Sequence, residues 1–178
     1  MNKAVDIYGE VDETLYKAFW NKLQQSQYDL VYYGEHFNRC TRISRTIKYV
    51  IIGATTLATS VWMSWNDLPV VSIVCAIVIL IFQVVSAVSE WFPYEKRKSE
   101  LRELSKELEM VYINMESDWR KIQRLQMTNK EITELMDKYA KKQADIKYHY
   151  FKDDALPERE SIRKKADEKT EEYFKFFY

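Results

Sequence analysis

The chain has 178 residues and equal numbers of basic and acidic side chains, 27 of each, so its formal net charge is zero. It therefore has no overall basic field to attract nucleic acid, and we expect no direct nucleic-acid binding. Only two cysteines, three glycines and three prolines are present, which excludes a disulfide framework and disfavours a fold of strands and tight turns. We predict an all-α fold.

The first predicted element is a cytoplasmic helix within residues 1–45. Asp12 is placed to cap it, and Glu13 puts a negative charge in its first turn. Apolar residues then recur at helical spacing. They are Leu15, Phe19, Leu23, Leu30, Tyr33, Phe37 and Cys40.

A transmembrane hairpin is predicted for residues 46–92, with spans at 47–65 and 68–92. A helix needs about 20 mostly apolar residues to cross the hydrocarbon core of a bilayer, and the second span carries no charge before Glu90. The first span is marginal because it holds several Ser and Thr residues, with Lys48 near its start. The alternative is a buried hairpin of a soluble protein, but no other part of the chain is apolar enough to enclose the second span.

The charges beside the spans predict their orientation. Basic residues lie before the first span and after the second, whereas the link Asn66-Asp67 carries none. The basic flanks contain Arg39, Arg42, Arg45, Lys48, Lys96, Arg97, Lys98 and Arg102. Because cytoplasmic loops carry an excess of Lys and Arg, we expect both termini in the cytoplasm.

Residues 93–152 are predicted to form one cytoplasmic coiled-coil-like helix, running from about Tyr94 to Tyr150. Leu101, Leu104, Leu108, Val111 and Met115 alternate three and four apart, as in a heptad seam. From Trp119 onward the spacing shifts by a four-residue step. The seam could pack on the N-terminal helix of the same chain, form a coiled coil between chains, or do both.

Residues 153–178 are predicted to form a break followed by a final helix that Pro157 starts, ending in the sequence YFKFFY. So many aromatic residues suit docking on the helical stalk, on a sister subunit or on a partner, and the membrane surface is a further possibility. The partner-docking candidates are Tyr173, Phe174, Phe176, Phe177 and Tyr178.

No sequence pattern indicates catalysis. His36 and His149 lie far apart without a cysteine cluster, and the glycines are isolated rather than grouped in a phosphate-binding loop. We therefore predict no catalytic residue, no cofactor and no metal site, and we expect that the protein is not an enzyme.

The second span carries a stripe of small and polar residues along one helix face. Positions 72, 76, 79, 83, 86 and 90 follow each other at alternating four- and three-residue steps. Such a face can pack against another helix, or it can line a water-filled path if several chains surround an axis. The pore-lining candidates are Ser72, Ile79, Gln83, Ser86 and Glu90.

The order of these parts resembles the SLATT family, the two-transmembrane effectors associated with SMODS and SLOG domains. The resemblance rests on the Tyr/Arg-rich entry YYGEHFNRCTRISRTIKYVIIGATTLATSVW, the two-span hairpin, and FPYEKRKSELRELSKELE at the start of the long helix. It implies a bacterial antiviral effector, located in the bacterial inner membrane, that oligomerises to form a pore or disrupt that membrane when a separate sensor protein triggers it. The implied sensor is a nucleotidyltransferase or a reverse transcriptase (retron) complex.

This resemblance favours the pore over packing for the polar stripe. A membrane-anchored scaffold, whose cytoplasmic helices dock a partner protein, is the alternative function.

Overall fold

The computed structural model describes residues 12–63, 73–74, 76–81, 83–84, 94–152 and 156–178, with the backbone alone for 54–63 and 94–95. Their regular structure is entirely helical, which confirms the all-α prediction. The long helices are α1 (Glu13–Met63), α2 (Tyr94–Gln123), α3 (Asn129–Phe151) and α4 (Glu160–Phe177). The chain divides into two compact units, one of Met1–His36 with Glu100–Tyr178 and one of Phe37–Ser99.

Helix α1 begins where the sequence predicts. The Asp12 carboxylate accepts a hydrogen bond from the backbone N–H of Thr14 at 2.8 Å, which satisfies one of the free donors of the first turn. The helix then continues past residue 45 to Met63 without a break, so the predicted boundary between the N-terminal helix and the first span lies inside one continuous helix.

The first unit is a bundle of four helices in an up-down-up-down arrangement. Helix α2 supplies its predicted seam to the core, and α1 contributes Phe19 and Leu23, which are fully buried. The buried residues of the seam are Leu101, Leu104, Leu108, Val111, Met115, Trp119 and Ile122. The seam therefore packs within the chain, as one of the two predicted arrangements requires.

The prediction of a single helix over 94–150 is wrong, because the chain turns back on itself at residues 124–128. The backbone N–H of Gln126 donates to the carbonyl of Lys121 at 3.0 Å and that of Leu125 donates to Ile122 at 2.9 Å, with Leu125 in the left-handed region at φ 54°. This pair of bonds is the Schellman arrangement that ends a helix. Thr128 and Glu131 then cap α3 reciprocally, so the two helices form a hairpin.

Cross-helix bonds fix the directions of the helices. Tyr139 of α3 bonds to Asp118 of α2, and Tyr150 bonds to Glu107, which is the pattern of an antiparallel pair. Helix α3 runs parallel to α1, since Asn129 contacts Asp12 at one end and Gln143 contacts Ser26 further along. Helix α4 is antiparallel to α1, with Phe174 against Trp20 and Lys169 paired with Glu35.

Pro157 lies in the non-helical stretch before α4, and the helix itself starts at Glu160. The predicted break near 153–160 is therefore present at its described residues. Pro157 precedes the helix rather than occupying its first position.

Candidate functional site

Two surfaces carry side chains that a soluble, self-contained bundle would bury. The first lies in the second unit, within residues 73–84, where six large aliphatic side chains are each more than half exposed. They are Ile73, Val74, Ile77, Leu80, Ile81 and Val84. This aliphatic surface is contiguous in sequence and carries no charge. Exposed apolar patches of this kind mark surfaces that another molecule or a lipid phase covers.

Helix α1 adds to the exposed apolar area of the second unit. Tyr49 is 67% exposed and Ile52 is 60% exposed. Both belong to the predicted first span, and its residues 47–63 are helical throughout. Within the described part of the chain, however, none of the helices combines the length and the apolar character that a bilayer crossing requires.

The predicted pore-lining residues are only partly described. Gln83 is exposed among the aliphatic side chains, and Ile79 is half-buried. Ser72, Ser86 and Glu90 lie outside the described residues. The polar stripe as a whole therefore stays a prediction.

The second surface is formed by the C-terminal aromatic residues, and the structure divides them into two sets. Phe174 is buried and its ring meets that of Trp20 edge-on, with centroids 5.0 Å apart. Phe176 is 81% exposed and Phe177 is 61% exposed. Part of the tail therefore docks on the chain's own stalk, as one of the predicted arrangements requires, while two large aromatic side chains stay in solvent.

A cluster of aromatic rings holds the end of α4 in place. Trp119 is almost fully buried, and its ring lies 5.2 Å from that of Trp20, which in turn lies 5.1 Å from Tyr178. The Tyr178 hydroxyl donates to Glu116 at 3.1 Å. Burial, followed by the nearby Glu116 carboxylate, raises the pKa of Tyr178 to about 12. Aromatic contacts of this geometry add to the stability that burial alone provides.

Polar side chains of α1 are buried where α3 packs against it, and this layer was not predicted. The Asp29 carboxylate accepts from Lys147 at 2.6 Å and from Gln25 at 3.2 Å. One turn earlier, Gln143 donates to the Ser26 hydroxyl at 2.8 Å. Buried polar groups that are hydrogen-bonded fix helix register, because any other pairing leaves them unsatisfied.

The contact between α1 and α4 is looser than the apolar core and leaves an open groove of about 730 Å³. From α1 the groove is lined by Asn21, Gln24, Gln25 and Tyr28, and from α4 by Asp167, Thr170, Glu171, Phe174 and Lys175. The α1 side is thus mostly amides. The sequence signal for this groove was present, because residues 21, 24, 25 and 28 share one helix face and none of them is aliphatic.

The described residues contain no group of three or more His, Cys, Asp or Glu side chains placed to hold a metal ion. His36 is buried on α1, and His149 is exposed on α3. The expectation that the protein is not an enzyme remains a prediction.

No protein-family model matches the chain, and neither a curated protein nor a solved structure does. Its function is therefore inferred from its own residues and from the resemblance described above.

Proposed function

We propose that this chain is a two-span membrane effector of a bacterial antiviral defence system, with spans at 47–65 and 68–92 and both termini in the cytoplasm of the cell. In this proposal several copies assemble in the inner membrane, and they open a pore or disrupt the bilayer when a separate sensor protein triggers them. The proposal includes no enzymatic step. The observation that carries it is the aliphatic surface within residues 73–84.

The hydrophobic effect supports placing that surface in lipid. Moving one large aliphatic side chain completely out of water contributes about 1.5–3 kcal/mol, and six such side chains are more than half exposed. Residues 68–89 contain no charged side chain that would oppose the transfer. The basic residues on both sides of the predicted hairpin favour the cytoplasmic orientation of the ends.

The pore step depends on the polar stripe. Two helices of one chain cannot enclose a water-filled path, so the proposal requires several copies around an axis. Gln83 is the described polar member of the stripe, and it is exposed within the aliphatic surface. An amide that faces lipid leaves its hydrogen-bonding groups without partners, which costs free energy. An amide that faces a lumen or a neighbouring helix can form those hydrogen bonds. Glu90 near the cytoplasmic mouth would favour cations.

Ion flux through proteoliposomes tests the pore directly. We expect the reconstituted chain, in its triggered state, to release a trapped cation, and Gln83→Leu to abolish release at unchanged protein content because it removes the polar lining near the midplane. Val84→Leu is the matched control and should conduct normally, as should Gln83→Asn, which keeps the amide. Full conduction by Gln83→Leu would show that residue 83 does not line the path.

The alternative function is a membrane-anchored scaffold, and the exposed rings of Phe176 and Phe177 favour it. A scaffold would recruit a partner through these side chains without changing ion permeability. In the flux assay it would leave the trapped cation in place under every condition. We prefer the pore-forming effector over the scaffold because of the resemblance to two-span effectors.

A further inference from the structure

The α1 side of the groove carries polar residues at a spacing that usually packs helices together. Asn21, Gln24, Gln25 and Tyr28 lie at i, i+3, i+4 and i+7, the positions at which a helix normally presents apolar side chains to a neighbour. Because these side chains are polar, α4 does not close over them, and about 730 Å³ of space remains. The space is an open groove rather than an enclosed cavity, so it suits an extended chain segment better than a small molecule.

Helix α4 carries acidic side chains on the groove and beside it, in an arrangement that opposes helix stability. Asp167 and Glu171 line the groove itself, and Glu168 and Glu172 lie on the adjoining face of the helix. Asp167 and Glu171, and likewise Glu168 and Glu172, are like-charge pairs at i,i+4. The two glutamates at 171 and 172 also lie in the last two turns of α4, where the helix dipole disfavours negative charge. The acidic groups of this helix end would therefore be stabilised by an added cation.

Two lysines beside the grooves already have carboxylate partners, whereas Lys165, three residues before Glu168, is exposed without a described ion pair. Lys175 pairs with Glu171 at 2.6 Å, and Lys169 reaches across to the buried Glu35. Within the part of the chain that the structure describes, Glu168 and Glu172 take part in no ion pair. They therefore offer two carboxylates to a partner from outside.

An exposed aromatic ring continues the row of carboxylates. Phe176 lies four residues after Glu172, and its side chain is 81% exposed. A second groove of about 410 Å³ runs along this row, and it shares Glu171 and Lys175 with the first. The two grooves therefore form one surface, here called the acidic groove, which extends from the α1 amides across α4 to Phe176.

We propose that the acidic groove binds an arginine-bearing segment of a separate protein. A guanidinium group has the fork geometry that carboxylates accept, and its flat face stacks on an aromatic ring. The α1 amides can bond to the main chain of an extended segment. Anionic lipid and nucleic acid fit poorly, because the carboxylates repel both. The inference rests on the proposed control of the effector by a separate protein, and it identifies the chemistry of that contact.

Fluorescence anisotropy on the full-length chain in zwitterionic nanodiscs tests the inference. The probe is a short fluorescein-labelled peptide in which arginine alternates with glycine and serine, compared with the same peptide carrying lysine. We expect the arginine peptide to bind more tightly than the lysine peptide. Glu168→Gln/Glu172→Gln should weaken the binding of the arginine peptide by about fivefold to tenfold, since it removes two exposed ion pairs. Phe176→Ala should reduce the preference for arginine.

The matched control is Asp137→Asn/Asp145→Asn, which removes two exposed carboxylates from α3 and should leave binding unchanged. The proposal would be overturned if this control weakened binding of the arginine peptide equally, or if the Glu168/Glu172 variant did not weaken it. Tighter binding to anionic vesicles than to the peptide would also overturn it.

The ion-flux assay separates this inference from the proposed function. Normal flux with no peptide binding would overturn the proposed peptide binding by the acidic groove and leave the proposed pore intact. Specific peptide binding with no flux under any condition would support peptide binding by the acidic groove and overturn the proposed pore.

Discussion

At the scale of single residues, the ion pair between the buried Asp29 and the partly exposed Lys147 joins α1 to α3. Lys147→Met would remove the cation and leave the Asp29 carboxylate inside the bundle with the Gln25 amide still donating to it. Because Lys147 is about a third exposed, water compensates part of the loss. We expect the free energy of unfolding to fall by about 1–3 kcal/mol, measured by chemical denaturation with circular dichroism.

The matched control for that substitution is Lys142→Met, which removes an exposed lysine from the same helix and should change stability little. The double variant Asp29→Asn/Lys147→Met should recover much of the loss, since it leaves no unpaired charge. Equal destabilisation by the Lys142 and Lys147 substitutions would mean that the ion pair contributes nothing specific.

At the scale of elements, the start of α3 depends on a capping box. The side chain of Glu131 bonds to the backbone N–H of Thr128 at 2.7 Å, while the Thr128 hydroxyl accepts from the N–H of Glu131 at 3.4 Å. We expect Thr128→Ala to lower the free energy of unfolding by about 1 kcal/mol. Thr133→Ala, in the same helix but outside the cap, is the control and should be close to neutral in the same denaturation experiment.

The pH dependence of this cap follows from Glu131. Its bonds to the backbone and side chain of Thr128 lower the pKa of the carboxyl. A carboxyl whose pKa is lowered by folding stabilises the folded state above its unfolded pKa, and that contribution is lost as the pH falls through the folded pKa. The stability difference between the native chain and Thr128→Ala should therefore shrink under acid conditions below the unfolded pKa of Glu131. A difference that grows toward low pH would contradict the capping box.

The same element shows how far the sequence predicts the fold. The pattern Thr128-x-x-Glu131 is a capping-box signal, yet the change of spacing after Met115 predicts only a shifted seam within one helix. Leu125 obscured the break, because glycine is the residue usually found in the left-handed position that ends a helix. By contrast, Asp12 capped α1 as predicted, since an acidic residue before a periodic apolar run is a local signal.

The buried polar layer could not be predicted from periodicity. Ser26, Asp29 and Gln143 are buried because partners distant in the sequence satisfy them, and a window along one helix contains no information about those partners. The aromatic tail divides into buried and exposed rings for the same reason, because the helix that covers it is distant in the sequence. Phe174 and Phe176 are the same residue type two positions apart, and the face of α4 that packs against Trp20 decides which of them is buried.

At the scale of the whole molecule, the chain combines a polar-surfaced bundle with a segment whose aliphatic side chains are uncovered. Residues 12–36 and 100–178 belong to the unit that has an aromatic and aliphatic core of its own. Residues 37–99 belong to the unit in which Ile73, Leu80 and Val84 are more than half exposed. Such a distribution fits a protein with one part in water and another in lipid, since each part then meets the solvent that suits its surface.

Cysteine labelling of the link between the proposed spans shows whether the hairpin crosses the bilayer. In a Cys40→Ser/Cys75→Ser background, a membrane-impermeant maleimide is applied to right-side-out spheroplasts and to inverted membrane vesicles. We expect Asn66→Cys to react in spheroplasts, whereas Lys165→Cys on α4 should react in inverted vesicles alone. Protection of Asn66→Cys in spheroplasts, or recovery of the chain in the supernatant after the membranes are pelleted, would contradict the proposed hairpin.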